Sequence, residues 1–261
     1  MNTPSIPAYE DGFLVDLALR LAREAAELIR AIRARGFATQ VKTDSSPVTE
    51  ADHAAEAHIL KGLRAQAPAI PVVAEEEMAA GIRINAGSEF WLVDPLDGTR
   101  EFAAGRDDFT VNIGLVRNGR PVLGVVALPA YHQLYGADAG RGAFRIDASG
   151  TQPIHVRTTP AEGLTVLASR HYADDPRLKQ FLGGHRVAHL GNIGSAAKFI
   201  RVAEGLADLY PRLGTTMEWD TAAPQAIVEA AGGTVTTTDG QPLGYGKPTW
   251  RNPHFVCRGA A

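Results

Sequence analysis

An apolar run that ends in two carboxylates constrains this chain more than any other feature of its sequence. Residues 91–99 read Trp-Leu-Val-Asp-Pro-Leu-Asp-Gly-Thr, so Asp94 and Asp97 follow a stretch that favours a buried β-strand. Ionised carboxylates are costly to bury unless something pairs with them, and a hard divalent cation is a suitable partner. Asp-Pro and Asp-Gly are also ordinary turn dipeptides. The segment alone therefore predicts a strand-to-helix turn, and leaves open whether its acids bind a metal or face solvent.

The composition argues against a protein that coats nucleic acid or a membrane surface. The chain has 261 residues, 45% of them hydrophobic, which suffices for one large domain or two closely packed ones. The charged fraction is 21% and the formal net charge is −3, so local basic residues or metal would have to attract an anionic substrate.

The cellular compartment is indicated by cysteine usage and by the absence of long apolar runs. A single cysteine, Cys257, excludes an internal disulfide and fits a reducing cytoplasm. The N-terminus lacks the basic start and apolar core of a signal peptide, and no apolar run approaches the ~20 residues that span a bilayer. We therefore expect a cytoplasmic protein without a transmembrane segment, and nothing in the composition requires contact with the inner membrane.

Periodicity divides the chain into two halves. Residues 1–148 predict an α+β half, with helices from Asp11 to about Arg35 and from Glu50 to about Gln66, short strands at 71–74 and 90–93, and an antiparallel meander at 109–144. Residues 149–261 predict an α/β half, with strands at 164–168, 186–190, 207–210 and 234–236 and helices at 195–204 and 221–231.

Four groups of acids stand at the ends of these elements. They are Asp52 in the first turn of a helix, Glu75 and Glu76 after a strand, Asp94 and Asp97 after another strand, and Asp220 before a helix. Each group has an ordinary explanation, because Asp52 could complete a capping box with Thr49, the glutamates could form a solvated turn and Asp220 could be an N-cap. Their joint occurrence favours a shared site, since magnesium is held by carboxylates together with water and substrate phosphate.

Three motifs together resemble the signature set of the inositol monophosphatase superfamily, the lithium-sensitive, magnesium-dependent phosphatases. They are Glu75-Glu76, Asp94-Pro95-Leu96-Asp97-Gly98-Thr99 and Trp219-Asp220-Thr221-Ala222-Ala223. The likeness runs from the first helix to about Phe255. It implies a five-layered α-β-α-β-α sandwich, in which the N-terminal half holds the metal-binding motifs and the C-terminal half completes the active site and substrate pocket.

The resemblance also implies a set of metal ligands. Glu75, Asp94 and the backbone carbonyl of Leu96 would hold a first magnesium ion. Asp94, Asp97 and Asp220 would hold a second, so that Asp94 bridges the two. Two or three ions in all are expected.

A catalytic pair is implied in the same way. Asp52 would pair with the hydroxyl of Thr99, and the two would orient and deprotonate the attacking water. The backbone amides of Gly98 and Thr99 would face the phosphate at a helix N-terminus, where partial positive charge favours an anion. The reaction would be an in-line displacement by metal-activated water, without a phosphoenzyme intermediate.

Further segments resemble the 3'(2'),5'-bisphosphate nucleotidases within this superfamily. They are residues 42–49, 98–102, 109–113, 194–199 and 207–212. That subfamily removes the 3'-phosphate from adenosine 3',5'-bisphosphate, a by-product of sulfate assimilation, and leaves AMP and phosphate. The expected partner is thus a small nucleotide bisphosphate and not a nucleic acid polymer.

A substrate with two phosphates needs hydrogen-bond donors in addition to the metals. The resemblance places Ser195, Lys198 and Arg212 at the second phosphate, whereas surface solvation is the ordinary state of such lysines and arginines. Around residues 169–172 the family pattern is Ser-Arg-Ser-His, but here His171 comes one place early and Tyr172 follows. Either His171 takes the role near the base or Tyr172 stacks on it.

Two other functions stay open on the sequence. One is an inositol-phosphate or histidinol-phosphate phosphatase of the same superfamily. The other is a catalytically silent nucleotide-binding relative, which would be expected to lack at least one of the site residues, all of which are present here. The likeness suggests a monomer or a homodimer without choosing between them.

Overall fold

Two mixed β-sheets, a small antiparallel sheet of two strands (β1 and β2) and the helices around them make up the described part of this computed structural model, residues 9–41, 47–170 and 175–260. The helices are α1 (Asp11–Arg35), α2 (Glu50–Gln66), α3 (Glu75–Ala79), α4 (Thr99–Ala103), α5 (Pro176–Leu182), α6 (Ala197–Ala203) and α7 (Ala222–Ala230), with 3-10 helices at Pro129–Tyr131 and Glu218–Asp220. The strands are β1 (Thr39–Val41), β2 (Pro47–Thr49), β3 (Val72–Ala74), β4 (Glu89–Asp97), β5 (Thr110–Arg117), β6 (Arg120–Leu128), β7 (Gln133–Asp138), β8 (Gly142–Asp147), β9 (Gly150–Pro153), β10 (Leu164–Ser169), β11 (Val187–Ile193), β12 (Leu209–Arg212), β13 (Thr234–Thr237) and β14 (Phe255–Arg258).

The larger sheet has seven strands in the order β3-β4-β5-β6-β7-β8-β9. Its first pair is parallel and every other neighbouring pair is antiparallel. Asn118 and Gly119 form the β5–β6 turn with φ values of 52° and 74°, the left-handed backbone that asparagine and glycine tolerate best. β9 lies beyond residue 148, where the sequence suggests a boundary, and that division of the chain stays a prediction.

The smaller sheet has five strands in the order β11-β10-β12-β14-β13. β10 is parallel to both of its neighbours, and β14 is antiparallel to β12 and β13. β14 was not expected from the sequence, because its short apolar segment shows neither helical nor alternating periodicity. It lies between β12 and β13, and so joins β13, the last strand that the sequence predicts, to the rest of this sheet.

The sheets and helices stack as five layers. α1 and α2 pack on one face of the larger sheet, and α6 and α7 fill the space between the two sheets. α5 covers the outer face of the smaller sheet, where Phe181 and Leu182 pack on Val166, Leu209 and Val256. The order is therefore α-β-α-β-α, and the predicted sandwich is confirmed. None of the helices in the described ranges combines the length and apolar character that a membrane span requires.

β4 differs from its prediction in a way that shapes the site. The sequence predicts a strand that ends at Val93, but β4 continues through both aspartates to Asp97. Residues three apart on a regular strand face opposite sides of a sheet. Here the register with β5 shifts between Asp94 and Asp97, and a bulge of this kind redirects side chains and tolerates the intervening Pro95. Both carboxylates consequently line the same cavity.

Candidate active site

The cleft where the predicted site residues meet has two lobes. Glu75, Asp97, Gly98, Thr99 and Asp220 line both lobes. The smaller lobe, of about 200 Å³, also includes Ser195, Lys198, Tyr210 and Arg212 in its lining. The larger lobe, of about 560 Å³, also includes Asp94, Leu96, Met217 and Trp250. Glu75, Asp97 and Asp220 therefore stand at the junction of the two lobes, with Lys198 and Arg212 in the smaller lobe.

Asp52 and Thr99 are in direct contact. The Thr99 hydroxyl donates to Asp52 Oδ1 at 3.0 Å, and the Leu96 carbonyl oxygen lies equally near, at 3.0 Å. The other oxygen of Asp52 accepts from the amide and the hydroxyl of Thr49, both at 2.7 Å. The capping box and the contact with Thr99 therefore coexist, because each uses a different oxygen of the same carboxylate.

Gly98 precedes α4 in a left-handed conformation, with φ of 91°. A β-carbon at this position would lie 2.9 Å from the Asp108 carbonyl oxygen and 3.2 Å from Ser195 Cβ. Both the backbone conformation and the lack of space thus require glycine. This close packing places the start of α4 against the loop that contains Ser195.

Backbone amides hold three of the predicted metal ligands in place. Asp94 Oδ1 accepts from the Leu96 amide at 3.1 Å, Asp97 Oδ2 from the Ala196 amide at 2.5 Å, and Asp220 Oδ2 from the Met217 amide at 2.9 Å. One oxygen of each carboxylate is thereby oriented. Such outer contacts are how proteins fix the direction of a metal ligand.

The electrostatics of these acids suit a cation. The pKa of Asp94 is raised well above its usual value, mainly by burial and to a lesser degree by the negative charge of Glu75. The pKa of Asp220 is raised in the same way, mainly by burial and to a lesser degree by the negative charge of Asp97. Burial also raises the pKa of Asp97, to about 6. A divalent cation beside these groups would oppose both effects, and an all-oxygen donor set suits a hard ion such as magnesium.

Among the described residues, no three histidine, cysteine, aspartate or glutamate side chains lie close enough together to form an assembled metal site. The carboxylates share a cavity and an electrostatic environment, and the residues fit a hard cation on those grounds. Their assignment to a first and a second ion stays a prediction.

Lys198 is buried and its ammonium contacts the chain itself. Nζ donates to the carbonyl oxygens of Ser195 at 2.6 Å and Ile193 at 3.2 Å, and lies 5.1 Å from the centre of the Tyr210 ring. Burial lowers the pKa of Lys198 to about 7, against the opposing attraction of Asp97. The sequence places this lysine at a substrate phosphate, and the structure adds that it ties together the loop before α6.

Ser195 and Arg212 also line the smaller lobe. Ser195 has a φ of 47°, an uncommon conformation for a residue with a side chain, and its Oγ accepts from the Ala197 amide at 3.2 Å. Arg212 donates from Nη2 to the Thr215 carbonyl oxygen at 3.0 Å. His171 and Tyr172, and residues 42–46 of the nucleotidase-like segment, lie outside the described residues.

Sequence reasoning missed two buried acids, Glu56 and Glu218, and the half-buried Asp108, all of which hold the site's backbone. Asp108 accepts from the Gly194 amide at 3.3 Å and pairs with Arg170. Glu218 accepts from the amides of residues 246 and 247, at 2.7 and 2.9 Å. Glu56 accepts from two amides of α3. The available signals were the proximity of Glu218 to Asp220 and the four-residue spacing of Glu56 from Asp52.

Comparisons with known proteins agree with this geometry. A model described as the inositol monophosphatase family matches residues 13–259. The 3'(2'),5'-bisphosphate nucleotidase CysQ of Escherichia coli O157:H7 is 41% identical over 248 residues, which cover 93% of this chain and 98% of that protein. The structure of CysQ from Bacteroides thetaiotaomicron, a bacterial member of the inositol monophosphatase family, has a TM-score of 0.80 at 32% identity, covering 95% of this chain and 98% of that one. The inositol monophosphatase from Anabaena (Nostoc) sp. PCC 7120 has a TM-score of 0.76 at 28% identity, covering 95% and 91%.

Proposed function

Because this chain belongs to the inositol monophosphatase family, we propose that it is a magnesium-dependent phosphoric monoester hydrolase acting on adenosine 3',5'-bisphosphate. The products would be AMP and phosphate. The observation that supports this best is the cleft itself, in which clustered acids adjoin a lobe lined by Lys198 and Arg212. The named activity of the Escherichia coli relative, 41% identical along nearly its whole length, supports the choice of substrate.

The acids of the cleft are the proposed magnesium ligands. Glu75, Asp94 and the Leu96 carbonyl would hold one ion, and Asp94, Asp97 and Asp220 a second, with the presence of a third left open. Bound magnesium would supply charge neutralisation for the phosphate and a lowered pKa for a water molecule. The raised pKa values of Asp94, Asp97 and Asp220 support this, since they show that the unneutralised cluster is electrostatically unfavourable.

Thr99 and Asp52 are the proposed proton acceptors. A hydroxyl has one proton to donate, so when Thr99 donates to Asp52 its oxygen can accept a hydrogen bond from a water in the cleft. Thr99 Oγ1 and Asp52 Oδ1 would then pass the proton of the attacking water inward. Thr49 holds the far oxygen of Asp52 with two hydrogen bonds, which keeps the near oxygen aimed at Thr99.

The smaller lobe is proposed to bind the phosphate that is not hydrolysed. Its lining includes Ser195, Lys198 and Arg212, which offer hydroxyl, amino and guanidinium donors. A polyol monophosphate would leave these groups unused. This difference favours a nucleotide bisphosphate over inositol or histidinol phosphate.

The finer biological setting follows as part of the same proposal. The protein would act in the cytoplasm and remove adenosine 3',5'-bisphosphate formed in sulfate assimilation, as a monomer or a homodimer. Its one cysteine, Cys257, is buried as a free thiol, in keeping with a reducing compartment. Lithium would inhibit by taking the place of one magnesium ion.

A substrate panel tests the proposal. Purified protein with magnesium should release phosphate from adenosine 3',5'-bisphosphate with a higher kcat/KM than from inositol 1-phosphate, histidinol phosphate or fructose 1,6-bisphosphate. Asp94→Asn should abolish release in every case while the circular dichroism spectrum is retained. Equal or lower rates on the nucleotide would refute the assigned substrate, and near-normal activity of Asp94→Asn would refute the assigned ligands.

A further inference from the structure

Helix α2 presents two buried carboxylates to the site from adjacent turns. Asp52 and Glu56 are four residues apart, and this spacing places their side chains on one face of the helix. Asp52 reaches Thr99, the first residue of α4. Glu56 reaches α3, the helix that begins with the proposed metal ligand Glu75. One face of α2 therefore contacts the starts of two short helices that line the cleft.

The contacts of Glu56 amount to a helix cap supplied by a neighbouring helix. Its Oε2 accepts from the Glu76 amide at 2.8 Å and its Oε1 from the Glu77 amide at 2.9 Å. Amides in the first turn of a helix have no partner within the helix, and the N-cap residue normally supplies one. Here the N-cap is Ala74, which has no side chain able to do so. Glu56 satisfies two adjacent amides in its place.

We propose that Glu56 is a positioning residue that sets the place of Glu75 at the proposed magnesium site. This inference rests on the proposed function. Glu75 is the first residue of α3 and directly follows β3, so the two capped amides come immediately after it in the chain. A loosened first turn would displace the Glu75 backbone and with it the carboxylate that lines the cleft.

Only a carboxylate of this length serves both amides. Each amide needs an acceptor, and a glutamine would offer one acceptor and turn its NH₂ group against the second N–H. A further acid beside Glu76 and Glu77 is electrostatically unfavourable, and simple packing would be served better by an apolar side chain. The hydrogen bonds from the two amides offset this cost and account for an acid at position 56.

Glu77 provides a matched control. Its carboxylate accepts two hydrogen bonds from Arg64 of α2, at 2.9 and 2.7 Å, and this pair lies nearer the surface than Glu56. Glu77→Gln removes one negative charge from the same turn and leaves Arg64 one acceptor in place of two, which weakens this link between α2 and α3. It leaves the Glu77 amide, and hence the cap, in place.

The test is the affinity of the metal-free protein for magnesium, measured by titration calorimetry and by the magnesium-dependent rise of Tm. Glu56→Gln should raise the Kd for magnesium on the order of tenfold or more, the usual effect of losing an outer-shell partner. Glu77→Gln should keep the wild-type Kd. In turnover, Glu56→Gln should need more magnesium for half-maximal rate while kcat at saturating magnesium stays near wild type.

Two results would contradict the positioning role. One is an unchanged magnesium Kd in Glu56→Gln, whether or not its Tm is lowered, and the other is an equal shift of Kd in both variants. If Glu56→Gln does not fold, Glu56→Asp, which is too short to reach both amides, is held to the same criteria. If the wild-type protein binds magnesium and hydrolyses the nucleotide while Glu56→Gln keeps the wild-type Kd for magnesium, this inference alone is refuted. If the wild-type protein neither binds magnesium nor hydrolyses the nucleotide, the proposed function is refuted.

Discussion

At the scale of single residues, the account depends on the contact between Thr99 and Asp52. Threonine alone is a poor base, and the contact gives its hydroxyl an acceptor for the proton that it would take up. The acceptor is oriented independently, because Thr49 holds the other oxygen of the carboxylate. In the proposed mechanism, Thr99 is thus a relay that needs both its own hydroxyl and the Asp52 carboxylate.

Removal of the hydroxyl alone tests this relay. Thr99→Val keeps the β-branched shape and removes the group that contacts Asp52. We expect kcat to fall about 10²- to 10⁴-fold, the range of general acid–base contributions, with little change in KM. Thr99→Ser restores the hydroxyl and should recover most of the rate. Steady-state kinetics decide the point, and a Thr99→Val enzyme with near-normal kcat would eliminate the relay.

Asp97 leads to a prediction about stability and pH. Burial raises its pKa from 3.8 to about 6, so between these values the folded protein holds a proton that the unfolded chain has released. In this window the contribution of Asp97 to the free energy of unfolding of the metal-free protein therefore falls as pH rises. Asp97→Asn removes the titration, and its stability relative to wild type should increase from about pH 4 to about pH 7. Denaturant unfolding of both proteins in the presence of a chelator measures this difference in the free energy of unfolding. A difference that stays constant across this pH range would contradict a raised pKa of Asp97.

At the scale of elements, the bulge in β4 is the feature that brings Asp94 and Asp97 together. A bulge is defined by the register with a neighbouring strand, here β5. The apolar pattern of β4 alone therefore does not predict where the register shifts. The start of α4 is the complementary feature, since Gly98 lets the chain turn from β4 into the helix with no room for a side chain. Strand, bulge and turn together place the acids beside Thr99.

A comparison of the two glycines that flank α4 distinguishes the cost of backbone strain from the cost of lacking space for a side chain. Gly98 and Gly105 have positive φ values of 91° and 72°, but only at Gly98 would an added β-carbon meet other atoms within 4 Å. Gly105→Ala should cost about 1 kcal/mol from conformation alone, and Gly98→Ala clearly more, because the Asp108 carbonyl must also move. Chemical denaturation gives both values. Equal losses would mean that the close approach at Gly98 is readily relieved.

Elements with strong periodicity were predictable, whereas periodicity does not predict contacts between distant segments. The contact between Asp52 and Thr99 was predicted from the family resemblance, and the structure contains it. α1 has the bounds that its apolar spacing predicts, and α2 likewise ends at Gln66. The helix α3 was not predicted, since three consecutive glutamates show no apolar face and the cap comes from Glu56, a distant residue. The motif acids were found because each stands beside a strand or helix end. The buried contacts of Lys198 depend on how the loop before α6 folds back, which periodicity does not encode.

At the scale of the whole molecule, the five layers place the cleft between segments from both ends of the chain. β4 and α3 contribute acids from the first half, while Asp220, Lys198 and Arg212 come from the second. α6 and α7 lie between the sheets, so the loops that precede them open onto the β4 acids. The fold therefore brings the acids proposed to bind magnesium next to the lobe proposed to bind a second phosphate.

The identity of the phosphate that is removed tests the central claim most directly. In a reaction of purified protein, magnesium and adenosine 3',5'-bisphosphate followed by ³¹P NMR, we expect the 3'-phosphate resonance to disappear. Inorganic phosphate and 5'-AMP should appear in equal amounts, and chelator should stop the reaction. Formation of 3'-AMP, or no reaction under conditions where inositol 1-phosphate is hydrolysed, would contradict the account.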